Sequence, residues 1–175
     1  MEIIKSQANL ISKWMSAGFI HGVMNTDNTC LSGETIDYGP CAFMDIFDYN
    51  KVFSSIDYQG RYSYKNQPNI ILWNLTRFAE TILPLIDHNL NKSIKKAEEI
   101  LNEFSSIYEN NWISIMGQKL GIEDTKNTDK NLIEEFLNLM QNQQLDFTNS
   151  FYSLSFLVEK DQIGKEEILK NHQIL

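Results

Sequence analysis

The sequence is poor in cysteine, proline and positive charge. Fifteen Lys and Arg stand against 23 Asp and Glu in 175 residues, for a net charge of −8. That deficit argues against the basic face with which nucleic-acid binders hold phosphate backbones. It also argues against a surface drawn to anionic lipid. Two cysteines, Cys30 and Cys41, are too few for a disulfide scaffold. They form no C-x-x-C pair and have no histidine cluster beside them, so no zinc site is expected. A reducing compartment, the cytoplasm, is the simplest setting. The N-terminus lacks the basic stretch and apolar core of a secretory signal. No apolar run approaches the ~20 residues that a membrane-crossing helix needs. No repeat, low-complexity tract or Pro/Gly-rich linker divides the chain, so one domain over 1–175 is expected.

What is present is mostly helical periodicity. Ile3, Ile4, Ala8, Ile11, Trp14 and Met15 form one stripe over residues 3–16, and Gly18 is placed to stop that helix. From Pro68 a second stripe runs through Ile71, Leu72, Leu75, Phe78, Ala79, Ile82 and Leu83, with Pro84 expected to kink or end it. Ser93 is a candidate cap for a third helix bearing Ile94, Ala97, Leu101, Phe104 and Tyr108. After a loop over 117–129, Thr128 or Asp129 can cap a helix with Leu132, Ile133, Phe136, Leu137 and Met140. Asp146 can cap a further one, and residues 164–175 read as helical. Residues 40–66 read as irregular. The fold class is mainly α with a small β-hairpin near the start: a hairpin region at 19–40 and a helical remainder at 67–175. The stripes read as core, which is how such domains are built.

The stretch "HGVMNTDNTCLSGETIDYG", residues 21–39, is unlike the rest. If Ser32, Gly33 and Glu34 make a three-residue hairpin loop, Leu31 faces Thr35, Cys30 faces Ile36 and Thr29 faces Asp37. Asn28 then sits one step further along the open end, with Asp27 beside it. Converging carboxamide and carboxylate oxygens suit a hard divalent cation completed by water and substrate phosphates. Kinases carry H-x-D-x-x-x-x-N followed by D-F-G, and here His21 and Asn28 keep that spacing while Asp37-Tyr38-Gly39 stands in the place of D-F-G. The base position holds Val23, which cannot accept a proton. His21 by itself reads as a structural histidine. Asp37 before Tyr-Gly is also compatible with ordinary turn chemistry. A calcium-loop reading fails, since its sixth position is Cys30 and its twelfth Ile36.

The strings "GFIHGVMNTDN", "TIDYGPCAFMD", "FSSID", "GRYSYKNQP" and "WNLTRFAETILPL" resemble the selenoprotein O (SelO, or YdiU) family over about Trp14 to Leu85. Beyond residue 90 the resemblance is weaker; "DFTNSFYSLS" is similar to a family segment with Arg where Tyr152 stands. "NTDNTC" has Thr29-Cys30 where the family has Met-Ser.

The resemblance implies a protein-kinase-like large lobe and transfer of AMP from ATP to Ser, Thr or Tyr hydroxyls of proteins. It implies Asp27 as general base, Asn28 and Asp37 as ligands of Mg²⁺ or Mn²⁺, and Asp37 also against the nucleotide phosphates. The acid missing at Val23 is thereby supplied at Asp27. No G-x-G-x-x-G and no small-lobe lysine strand precede residue 21. The chain therefore reads as an internal piece, with the small lobe possible as a separate polypeptide. Alone it is expected to bind ATP weakly or not at all, and to expose apolar surface near Trp14, Ile20 and Phe43 that invites self-association. Two other readings stand: a non-catalytic remnant or binding module of the same fold, and a small-molecule kinase, against which Val23 argues.

Overall fold

In the computed structural model, residues 1–159 are described; the expected helix at 164–175 lies outside the described residues. Five helices carry the architecture: α1 (Glu2–Ala17), α2 (Gln67–Ile86), α3 (Leu90–Lys119), α4 (Lys130–Gln143) and α5 (Phe147–Glu159). One two-stranded antiparallel sheet joins them, pairing β1 (Phe19–Ile20) with β2 (Ala42–Phe43) in the register Phe19↔Phe43, Ile20↔Ala42. The mainly helical, α+β reading of the sequence holds.

The stripe on α1 predicts its buried face well. Ile4, Ala8, Ile11, Trp14 and Met15 are buried, and the face packs against α3 and α2. Gly18 ends the helix in the left-handed region at φ 68°, where most side chains are strained. A β-carbon there would also stand 2.7 Å from the Phe147 ring. The Gly18 carbonyl then accepts the Met44 N–H at 2.8 Å, which brings the chain leaving β2 back to the end of α1.

α2 continues through Pro84 and stops at Ile86. The α3 cap is not Ser93 but Asn89, whose side chain accepts the Lys92 N–H at 3.1 Å. Ser93 lies inside the helix, buried, and its hydroxyl donates to the Leu83 and Asp87 carbonyls at 2.8 and 3.0 Å. The serine thus satisfies carbonyls at the end of α2, where helix termini leave them unpaired. On α4, Ile133, Leu137 and Met140 are buried, whereas Leu132 faces solvent. Asp146 does cap α5, accepting the Asn149 N–H at 2.7 Å. Residues 45–47 pair with 145–147 through Phe47 N–H to Leu145 O and an Ile46–Asp146 bridge, which fixes α5 beside the sheet.

Two further expectations fail. Trp14 and Ile20 are not exposed: they are 9% and 0% accessible. The Trp14 ring stacks on His21 at 5.2 Å, and its indole N–H donates to Thr35 Oγ1. Of the three residues, only Phe43 is open, at 64%. The second failure is the hairpin about Ser32-Gly33-Glu34. Residues 29–37 contain no strand, so Thr29 does not face Asp37 across a ladder. The sheet lies outside that stretch and brackets it, and residues 21–41 form a long excursion between β1 and β2.

Candidate active site

Side chains on the surrounding helices hold this excursion in place. Gln67, at the first residue of α2 and fully buried, accepts the His21 backbone N–H at 3.0 Å and donates to the Phe19 carbonyl at 2.9 Å. Asn74, one to two turns along α2, donates to the Met24 carbonyl at 3.1 Å and to Thr29 Oγ1 at 2.7 Å. Gln7 of α1 donates to the Cys30 carbonyl at 2.6 Å. Gly33, at φ 80°, packs so closely on α1 that a β-carbon would stand 2.8 Å from Ser6 Cβ. None of these anchors was found by pattern reading. Their one signal is a polar residue inside an apolar helical face: Gln7, Gln67, Asn74.

His21 is structural, as the sequence reading has it. It is fully buried, stacked on Trp14, with Nε2 2.7 Å from the Ile36 carbonyl. A carbonyl can only accept, so Nε2 carries the proton, and Nδ1 is left to receive the Val23 N–H at 3.4 Å. The imidazole therefore clips residue 36 to residue 23 and positions Asp37, the next residue.

Thr26–Asn28 forms one 3₁₀ turn. Asp27 is exposed upon it, and Asn28 is half-buried, its amide donating to the Val23 carbonyl at 2.9 Å. That bond commits Nδ2 and leaves Oδ1 as an oxygen donor. Asp37 is exposed and adopts φ 54°, a left-handed conformation rare outside glycine and tolerated best by Asn and Asp. Its Oδ1 lies 3.6 Å from where a Gly39 β-carbon would stand, and Val23 Cγ2 lies 3.9 Å from that same point. The Val23 carbonyl holds Asn28, and the Val23 side chain and the Asp37 carboxylate both lie near Gly39. Strand pairing places neither candidate ligand.

Among the described residues no ion pair involves Asp27 or Asp37. No three His, Cys, Asp or Glu side chains there are grouped to hold a metal unaided. The oxygen donors of Asn28 and Asp37 fit a hard cation such as Mg²⁺ or Mn²⁺ that takes its remaining ligands from water and phosphate. Cys30 and Cys41 are both free thiols. A hollow of about 470 Å³ between α2, α3 and α4 includes none of the three candidate residues. Among the described residues no helix is long and apolar enough to cross a membrane.

The family model described as protein adenylyltransferase SelO matches residues 1–175. The chain belongs to the SelO family. It is 53% identical over 175 residues to a protein nucleotidyltransferase YdiU of Clostridium botulinum (strain Hall), covering 99% of this chain and 36% of that protein. It is 55% identical over 161 residues to the protein of that name from Clostridium perfringens (strain 13), covering 92% of this chain and 33% of that one. The chain thus spans about a third of the length of these SelO relatives.

Proposed function

We propose that this chain carries part of the catalytic site of a protein adenylyltransferase, which moves AMP from ATP to a Ser, Thr or Tyr hydroxyl of another protein. The observation that carries this reading is the surroundings of Val23: a valine stands where a kinase-type base would be, its carbonyl accepts from the Asn28 amide, and an exposed carboxylate, Asp27, stands next to Asn28. The strand pair that brackets the loop, followed by helices, supports a kinase-type large lobe. The name of the relatives, protein nucleotidyltransferase, supports nucleotide transfer.

In this reading Asp27 takes the proton from the incoming hydroxyl at a carboxylate oxygen. The hydroxyl oxygen bonds to the α-phosphorus of ATP, the α–β bridging bond breaks, and pyrophosphate leaves. Correct placement of such an acceptor is worth about 10²–10⁴ in rate. Asn28 Oδ1 and the Asp37 carboxylate would hold Mg²⁺ or Mn²⁺. A bound ion there offsets the charge that develops on the phosphates. His21 and Gln67 act earlier, by fixing where residues 36–37 and 19–21 lie.

The test is the fate of two labels in a protein of the relatives' length that contains this sequence. Label from the α-phosphate of ATP is expected on protein hydroxyls. Label from the γ-phosphate, with none from the α, would make the protein a kinase. Retention of neither would favour a binding module of the same fold.

A further inference from the structure

The whole sequence holds two arginines, Arg61 and Arg77, and both stack on one side chain. Their guanidinium carbons lie 4.9 and 5.5 Å from the centre of the Trp73 ring, which is 43% exposed on α2. Arg61 also lies over Tyr62, whose hydroxyl bonds to Asn25 Oδ1, two residues before Asp27. The stack is therefore fastened to the candidate catalytic loop. Arg61 has no carboxylate partner among the described residues. Arg77 has, among the described residues, only Glu80 at 2.7 Å, a half-exposed pair that solvent screens.

Beside the stack runs a groove of about 330 Å³ between residues 26–31 and α2. Arg77 lines it, as do Thr26, Leu31, Leu75 and Phe78. Apolar side chains of an extended peptide suit Leu31, Leu75 and Phe78, and acidic side chains suit two arginines on an otherwise acidic protein.

We propose that this groove, with the Arg61–Trp73–Arg77 stack at its rim, seats the chain of the acceptor protein as an extended peptide with acidic residues beside the modified hydroxyl. The proposal rests on the reading of residues 21–39 as a transfer site, since it assigns that site its substrate class.

The experiment is fluorescence anisotropy with two labelled peptides of equal length, one serine flanked by glutamates and one flanked by lysines. No nucleotide is added, so the result does not depend on whether AMP is transferred. The glutamate peptide is expected to bind about tenfold tighter, and the double variant R61E/R77E to reverse the preference. A second double variant, K92E/K95E, reverses two charges on α3 and is expected to leave the preference in place. Thermal melts of both variants check folding. Equal binding of the two peptides overturns the proposal, as does a preference that R61E/R77E leaves intact or that K92E/K95E also abolishes. Binding to this chain that is lost in the full-length Clostridium botulinum relative overturns it too, because the groove is then covered by the relative's own chain.

Discussion

The protonated Nε2 of His21 points at the carbonyl oxygen of Ile36 from 2.7 Å, across fifteen residues of chain, and this bond sets the position of Asp37. Replacing His21 by Ala is expected to cost about 2–4 kcal/mol in urea unfolding, from an unpaired carbonyl and a cavity beneath Trp14. A loss under 1 kcal/mol would show that the clip is dispensable.

Gln67 makes the complementary prediction. Gln67→Leu keeps the volume but leaves the His21 N–H and the Phe19 carbonyl buried without partners. A destabilisation of about 3 kcal/mol is expected by the same measurement. An unchanged urea midpoint would mean that another group replaces the amide.

Asp37 should trade stability against ligation. At φ 54° a glycine is easier to accommodate, so Asp37→Gly is expected to raise stability by up to about 1 kcal/mol while weakening Mn²⁺–ATP binding in a protein of the relatives' length. Calorimetry reads the binding and urea unfolding reads the stability. A variant that is both less stable and equally able to bind would contradict the role given to this residue.

Lys119 supplies a pH dependence. It is half-buried against the Phe147 and Phe151 rings, bonds to the Ser16 carbonyl, and burial pulls its ammonium down to about 8. Between that value and the ordinary lysine range the unfolded chain binds more protons than the folded one, so stability rises with pH there. Burial raises Tyr64 and Tyr108, which makes stability fall again above the ordinary tyrosine range. Between pH 8 and 9.5, wild-type protein should gain stability and Lys119→Met should stay flat. A decline in the wild type over this interval would contradict the assignment.

Much of the fold was legible because apolar side chains at helical spacing report burial directly, as Ile4, Ala8, Ile11 and Met15 do on α1. The capping error at Ser93 arose because a serine near a helix start reads as a cap whether its hydroxyl bonds forward to its own helix or back to α2. The hairpin error has a similar cause. Ser32-Gly33 does turn, with the Gly33 N–H on the Cys30 carbonyl at 3.1 Å, but a turn does not oblige its flanks to pair. Here Gln7 and His21 take the backbone carbonyls of Cys30 and Ile36 that a ladder would have used. Such long-range side-chain bonds leave no periodic trace in a sequence. The residue types of the candidate site were readable from spacing and resemblance. The hold of Val23 on Asn28 was not, because it acts through a backbone carbonyl.

The central claim is that the proton acceptor stands at position 27 and not at 23. It is tested most directly by the rate of α-label transfer to protein by Asp27→Asn in a protein of the relatives' length, with Mn²⁺–ATP affinity measured on the same sample. The account predicts a fall of about 10²–10⁴ in rate with binding retained. Transfer at the wild-type rate would contradict it.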